Sequence, residues 1–106
     1  MSTDAAAADA GTGGGRPFDL DGAWRLHEQV AVRPERFGAL LYHYGNRRLS
    51  FLRSPVLLTV VRSLADRPTA RQACAQAGVR TEELASYRAA LAALAESRMI
   101  CERREP

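Results

Sequence analysis

Apolar and polar residues alternate through the first half of the chain, a period that predicts β-strands. A first strand is predicted over 24–32, where the alternation is interrupted at Glu28. The segment RPER should turn the chain, because Pro34 has a fixed φ. Second and third strands are predicted over 37–44 and 47–53. These three strands would form an antiparallel meander.

A tight hairpin is predicted between the second and third strands. Only Gly45 and Asn46 lie between them, and both residue types tolerate positive φ, which favours a two-residue turn. In the third strand, Leu49 and Phe51 should share one face of the sheet. The opposite face should carry Arg48, Ser50 and Leu52.

The period of the apolar residues changes after Ser54, which we predict to cap a helix that starts with Pro55. The apolar stripe of this helix consists of Leu57, Val60, Val61 and Leu64. A short second helix should begin after Thr69 and end at Gly78. Its inward residues are Ala70, Ala73, Cys74 and Ala77.

A third helix is predicted over 82–97, capped by Thr81 and with Glu82 and Glu83 at the positive end of its dipole. Its stripe is Leu84, Tyr87, Leu91 and Leu94. The last segment, RMICERREP, fits either a short strand or a frayed end.

Strands followed by helices predict an α+β domain whose helices cover one face of the sheet. The last two helices resemble a helix-turn-helix, so the predicted architecture is a small winged-helix-like unit. Residues 1–17 are rich in Ala and Gly and lack apolar periodicity, which predicts a disordered tail before a domain over 18–106. Within that tail, GTGGGR lacks the features of a phosphate-binding loop.

Composition narrows the class of protein. The chain has 106 residues and a net charge of +3, and it contains arginine but no lysine. Such a mild positive charge suits an acidic partner without implying nucleic acid. We expect a cytoplasmic protein with two free thiols, because the sequence shows no signal peptide, no membrane span and no CxxC motif.

Catalytic and metal-binding patterns are weak. His27 and His43 are far apart and have no carboxylate or cysteine at ligand spacing, so we expect no metal and two partly exposed histidines. Tyr42 and Tyr44 should share the face opposite His43, with at least one of them in the core. Cys101 lies near arginines that would lower its pKa, in a segment expected to be mobile. An enzyme is not expected.

Two binding functions remain. A DNA-binding regulator is the alternative favoured by the helix-turn-helix pattern, but the helix over 82–97 has a net charge of −2, which repels phosphates. The second binding function is peptide docking at a sheet edge, because the third strand ends the meander and offers unpaired amides. Its arginines would either block aggregation or select an acidic peptide. The candidate peptide-binding residues are Arg47, Arg48, Leu49, Ser50, Phe51, Leu52, Leu84, Tyr87, Arg88 and Leu91.

The segment WRLHEQVAVRPERFGALLYHYGNRRLSFLRSP, followed by VLLTVVRSLAD, resembles the mycofactocin-system peptide chaperones, which belong to the PqqD-like precursor-peptide recognition elements. The resemblance covers about 24–100. It implies a non-catalytic protein that binds the leader of a short ribosomal precursor peptide. The family presents the Val-Tyr core of that peptide to a radical S-adenosylmethionine maturase. It also implies that the peptide adds as a strand beside strand three, next to the third helix, and that any iron–sulfur cluster belongs to the maturase.

Overall fold

Four strands precede three helices, and a fifth strand follows them, in a computed structural model that describes residues 17–103. The elements are β1 (Trp24–Leu26), β2 (Val30–Glu35), β3 (Gly38–His43), β4 (Arg48–Leu52), α1 (Pro55–Ser63), α2 (Ala70–Gln76), α3 (Leu84–Glu96) and β5 (Ile100–Glu102). The predicted α+β class is confirmed. The predicted disordered tail lies, except for Pro17, outside the described residues.

The strands form two antiparallel sheets. The larger has the order β2-β3-β4 and is the predicted meander, while β1 pairs with β5. The single first strand predicted over 24–32 is therefore wrong. The chain turns after β1, where the His27 N–H donates to the Met99 carbonyl and the Val30 N–H donates to the His27 carbonyl. The ambiguous C-terminal segment supplies β5.

Both predicted turns differ in detail from the structure. Pro34 lies inside β2, opposite Ala39, and does not form the turn. The β3–β4 loop contains four residues, 44–47, and not two, because His43 pairs with Arg48. Positive φ falls on Arg47, at 67°, whose N–H donates to the His43 carbonyl over 2.7 Å.

The first two helices begin where the sequence predicts, and the second also ends where predicted. The Ser54 hydroxyl accepts hydrogen bonds from two amides of the first turn of α1. The Thr69 hydroxyl accepts from the Gln72 N–H at the start of α2, and Gly78 follows that helix with φ 93°. The third start differs: Thr81 lies within a 3₁₀ turn, and the Glu83 carboxylate accepts from the Arg80 N–H.

The hydrophobic core lies between the sheets and the helices, with α1 packed on β3 and β4. Its fully buried side chains include Leu41, Leu52, Val60, Val61, Leu64, Leu91, Met99 and Ile100. The N-terminal end of the domain is fixed by stacking of Phe18 on Trp24, with ring centroids 4.9 Å apart, and by an ion pair between Asp21 and Arg71. Phe18 and Trp24 therefore both belong to the packed part of the described residues.

Candidate functional site

The free edge of β4 presents the backbone groups of Leu49 and Phe51. The Tyr44 N–H donates to the Gln29 carbonyl over 2.9 Å, which shows that even-numbered residues of β3 face β2. Odd-numbered residues of β3 consequently face β4, where Leu41 opposes Ser50. Because backbone groups alternate along a strand, Ser50 bonds to β3 and its two neighbours, Leu49 and Phe51, point away from the sheet.

The opposite edge, β2, is protected against strand addition. By the same alternation, Val32 and Pro34 point to the free side of β2, and proline has no N–H to offer there. Charged side chains flank it, since Arg33 and Glu35 are exposed and form an ion pair over 2.8 Å. The β4 edge also carries exposed charges, at Arg47, Arg48 and Arg53, but it differs from β2 in that Leu49 and Phe51 keep backbone N–H groups on its free side.

Leu49 and Phe51 also project their side chains from the outer face of the sheet. They are 62% and 54% exposed, whereas Leu52, on the inner face, is 2% exposed. The predicted division of faces in the third strand is therefore confirmed. Leu52 contributes to the site by anchoring β4 in the core.

The β3–β4 loop is organised around His43, which is buried. Its Nδ1 accepts hydrogen bonds from the N–H groups of Gly45 and Asn46, at 3.0 and 3.2 Å. The expectation of a partly exposed histidine is wrong for His43. The expectation that at least one of Tyr42 and Tyr44 lies in the core is also wrong, because Tyr42 is half-buried outside the core and Tyr44 is exposed. Side chains alternate along a strand, so His43, two residues after Leu41, lies on the same inner face of β3. This alternation could have predicted its burial from the sequence.

Asn46 connects this loop to the end of α3. Its side-chain Oδ1 accepts from the Arg48 N–H over 2.9 Å, and its Nδ2 donates to the Ser97 carbonyl over 3.2 Å. The start of β4 and the end of α3 are thus held together. Sequence patterns identified Asn46 only as a turn residue, because this contact joins distant parts of the chain.

The predicted residues of α3 divide into core and surface. Leu91 is fully buried, Leu84 and Tyr87 are half-buried against the core, and Arg88 is exposed. Leu91 therefore holds α3 in place, while Arg88 and the accessible parts of Leu84 and Tyr87 remain available to a ligand. The most extensive helix contact of β4 is with α1.

The edge is strongly basic. Arg47, Arg48 and Arg53 are exposed, and no ion pair joins them to another residue within 17–103. Arg25, Arg33, Arg71 and Arg80, by contrast, each lie within 4 Å of a carboxylate. Three exposed arginines without an ion pair in 17–103 therefore lie in or beside β4, while Arg36, Arg62, Arg88 and Arg98 are likewise exposed and without an ion pair elsewhere in the same range.

Histidine and cysteine chemistry contributes little to this site. The rings of His27 and His43 lie 4.4 Å apart, and burial together with the His43 ring lowers the pKa of His27. No group of three or more metal-ligating side chains occurs among residues 17–103. Cys101 lies in β5 and not in a mobile tail, and burial raises the pKa of its thiol, contrary to the predicted effect of nearby arginines.

Fold and site together define a small α+β domain in which, among residues 17–103, β4 is a sheet edge with free backbone N–H groups and two exposed apolar side chains. Within the described residues, no helix is long and apolar enough to cross a membrane.

A sequence profile of the peptide chaperone MftB family matches residues 23–101. A peptide chaperone MftB of Mycobacterium ulcerans is 59% identical over 95 residues, which cover 90% of this chain and 86% of that protein. The peptide chaperone MftB of Mycolicibacterium smegmatis is 57% identical over 83 residues, which cover 78% of this chain and 81% of that protein. No solved structure gives a significant match.

The chain belongs to the peptide chaperone MftB family. It is therefore a peptide chaperone, with a peptide as its partner, and the expectation that it is not an enzyme is confirmed by this membership. The family also favours a peptide partner over the DNA-binding alternative.

Proposed function

We propose that the protein binds the leader of a short ribosomal precursor peptide as an added strand on β4 and presents that peptide to a radical S-adenosylmethionine maturase in mycofactocin biosynthesis. The observation that carries this proposal is the difference between the two edges of the larger sheet. The β2 edge has Pro34 on its free side and an exposed ion pair on the outer face beside it, whereas β4 has two exposed apolar residues with free amides. Natural sheets usually protect their edges, so an open one indicates a docking position.

Charge supports an acidic leader. Arg47 and Arg48 lie at the start of β4 and Arg53 follows its end. Carboxylates on a bound strand would lie beside guanidinium groups that have no other ion pair within 17–103. Such exposed pairs contribute little affinity each, about 1 kcal/mol or less, but they set the orientation and the sign of the partner.

The second wall of the site is α3. Asn46 ties the start of β4 to Ser97 at the end of α3, which joins strand and helix at one point. Side chains on the inner face of an added strand would contact Leu84, Tyr87 and Arg88. Leu52 and Leu91 would hold the two walls in register from within the core.

The protein supplies no cofactor in this scheme, and the chemistry belongs to the maturase. The maturase, as the protein that receives the peptide, follows from the family resemblance, as does the mycofactocin pathway. We place this step in the cytoplasm, where the free thiols of Cys74 and Cys101 would stay reduced.

Amide hydrogen exchange resolved by NMR tests the binding mode. The ligand is the synthetic precursor peptide encoded nearest to this gene, added to the full chain. The amides of Leu49 and Phe51 have no hydrogen-bond partner among residues 17–103, so their exchange should slow most, with smaller effects over 87–91 of α3. Protection confined to residues 25–32 would place the docking edge on the other side of the sheet and refute the site. An absence of binding would refute the proposed function.

A further inference from the structure

Two rows of side chains cross the outer face of the sheet and end at the β4 edge. Tyr42 pairs with Leu49, and Leu40 pairs with Phe51. Leu40 and Tyr42 are half-buried, whereas the edge residues Leu49 and Phe51 are 62% and 54% exposed. Each apolar row therefore ends in a large side chain with no neighbour on its free side among residues 17–103.

A strand added to β4 would continue both rows. The residue directly opposite Leu49 shares its face of the sheet, at a Cβ separation of about 5 Å, and the same holds opposite Phe51. One residue lies between these two positions, and its side chain points to the inner face. A peptide at this edge would thus present a pair of outward side chains to Leu49 and Phe51.

We infer that β4 selects its peptide through two apolar side chains, separated by one residue, that pack on Leu49 and Phe51 on the outer face of the sheet. This inference rests on the proposed function, because it requires strand addition at β4. It extends that function to a sequence pattern in the ligand: apolar, any residue, apolar, with acidic residues on both sides.

The flanking acidic residues follow from the positions of the arginines. Arg47 and Arg53 each lie three residues from Ser50, the centre of the edge, and both are exposed. Both arginines lie just outside β4, one before its start and one after its end, so the ends of an added strand centred on Ser50 would lie near these guanidinium groups. Apolar residues at the first neighbours and carboxylates towards both ends therefore complement this edge in either chain direction.

A second copy of this chain fits the edge poorly. Antiparallel pairing of two β4 strands centred on Ser50 would bring Arg47, before the strand of one copy, towards Arg53, after the strand of the other. The two-fold symmetry repeats this contact at the other end of the pair. Like charges directly opposite each other destabilise paired strands, so charge favours an acidic peptide over self-association.

The experiment measures affinity for the synthetic precursor peptide and for a serine scan of that peptide. The protein variants are Leu49→Ser, Phe51→Ser and their double variant, which retain every backbone N–H. Arg33→Ser is the control, because Arg33 lies in the same row as Phe51 but at the far edge of the sheet. Leu49→Pro removes a free-edge N–H and reports on strand addition itself.

Each serine variant should weaken binding about fivefold, near the upper end for one cross-strand pair, and Arg33→Ser should leave it unchanged. The scan should find two sensitive apolar positions separated by one residue. In double-mutant cycles, serine at either of these peptide positions should reduce affinity less for the Leu49→Ser and Phe51→Ser proteins than for the wild type.

Unchanged affinity in the double variant would overturn the inference. If Leu49→Pro still abolished binding in that case, the proposed function would stand and only the outer-face contacts would be wrong. If Leu49→Pro also bound the peptide with normal affinity, the proposed strand addition at β4 would be refuted as well. A wild-type dimer that the double variant converts to a monomer would overturn the inference too, since the two side chains would then contact a second copy.

Discussion

The side-chain amide of Asn46 donates a hydrogen bond to the backbone carbonyl of Ser97 across 3.2 Å, which joins the β3–β4 loop to the end of α3. Asn46 also accepts from the Arg48 N–H, so one side chain fixes the start of the candidate edge. Asn46→Ala should lower the free energy of unfolding by about 1 kcal/mol and weaken peptide binding, because both contacts are lost.

Denaturant unfolding and peptide titration would check this prediction. Ser97→Ala is the matched control: it removes the hydroxyl, which donates within α3, but leaves the backbone carbonyl that Asn46 contacts. If Ser97→Ala weakened peptide binding as much as Asn46→Ala does, the contact between loop and helix would not be the cause.

Gly38 should tolerate no side chain. A Cβ atom at this position would collide with the backbone carbonyl of Leu52, at the end of the candidate edge. Backbone cannot move aside as a flexible side chain can, so Gly38→Ala should lower the free energy of unfolding by more than about 2 kcal/mol. Gly78→Ala is the control, since its position is open and only its φ of 93° is unfavourable, at a cost of about 1 kcal/mol. Equal effects of the two variants in thermal or denaturant unfolding would contradict the predicted clash.

His27 should make the domain less stable in mild acid. Burial and the His43 ring lower its pKa in the folded chain below the ordinary value of 6.5. Between the two pKa values the unfolded chain binds more protons, so the free energy of unfolding should fall as the pH falls below 6.5. His27→Asn should make this dependence shallower while keeping an acceptor for the Gln29 N–H, which donates to His27 Nδ1.

The measurement is denaturant unfolding between about pH 7.5 and pH 5, for both proteins. Glu28 favours the charged imidazole, whereas Arg25, Arg98 and His43 oppose it. These groups are present in both proteins, so the difference between the two pH profiles isolates His27. Identical slopes would show that His27 gains its proton equally in the folded and unfolded chains.

The helices could be predicted from local sequence signals, whereas contacts between residues distant in the chain could not. The hydroxyl of Ser54 and the flexibility of Gly78 act within one helical turn, so their sequence positions are sufficient. β1 depends on pairing with β5, at the other end of the domain. The local alternation of apolar residues could not show this, so β1 and β2 were predicted as one strand. The four-residue loop depends on the buried ring of His43, whose burial follows from tertiary packing.

The same distinction applies to the candidate site. The meander predicts that the third strand is an edge, and its alternation predicts that Leu49 and Phe51 share a face. Which amides are free required the hydrogen bond from Tyr44 to Gln29, which no local pattern specifies. The burial of Leu91, by contrast, was already implied by the predicted apolar stripe of the third helix.

Charge reversal at the edge should weaken binding of an acidic leader in a salt-dependent manner. Arg47→Glu and Arg48→Glu should each cost about 1 kcal/mol at most, because both side chains are exposed and screened by solvent. The control is Arg80→Glu, which reverses an exposed arginine that pairs with Glu82 outside the β4 edge. Titrations with the synthetic precursor peptide at low and high salt would check this. Losses that persisted at high salt would contradict an electrostatic origin.

Proline at two adjacent positions of β4 should have opposite effects. The Ser50 N–H bonds to β3, opposite Leu41, whereas the Leu49 N–H points to the free edge. Ser50→Pro should therefore remove a hydrogen bond between β4 and β3 and unfold the hairpin. Leu49→Pro should remain folded but lose strand addition, because the bound peptide then has no donor at that position.

Thermal unfolding and peptide titration of both variants separate these outcomes, and Leu49→Ser controls for loss of the side chain alone. A folded Leu49→Pro variant that binds the precursor peptide with full affinity would show that the peptide does not pair with β4.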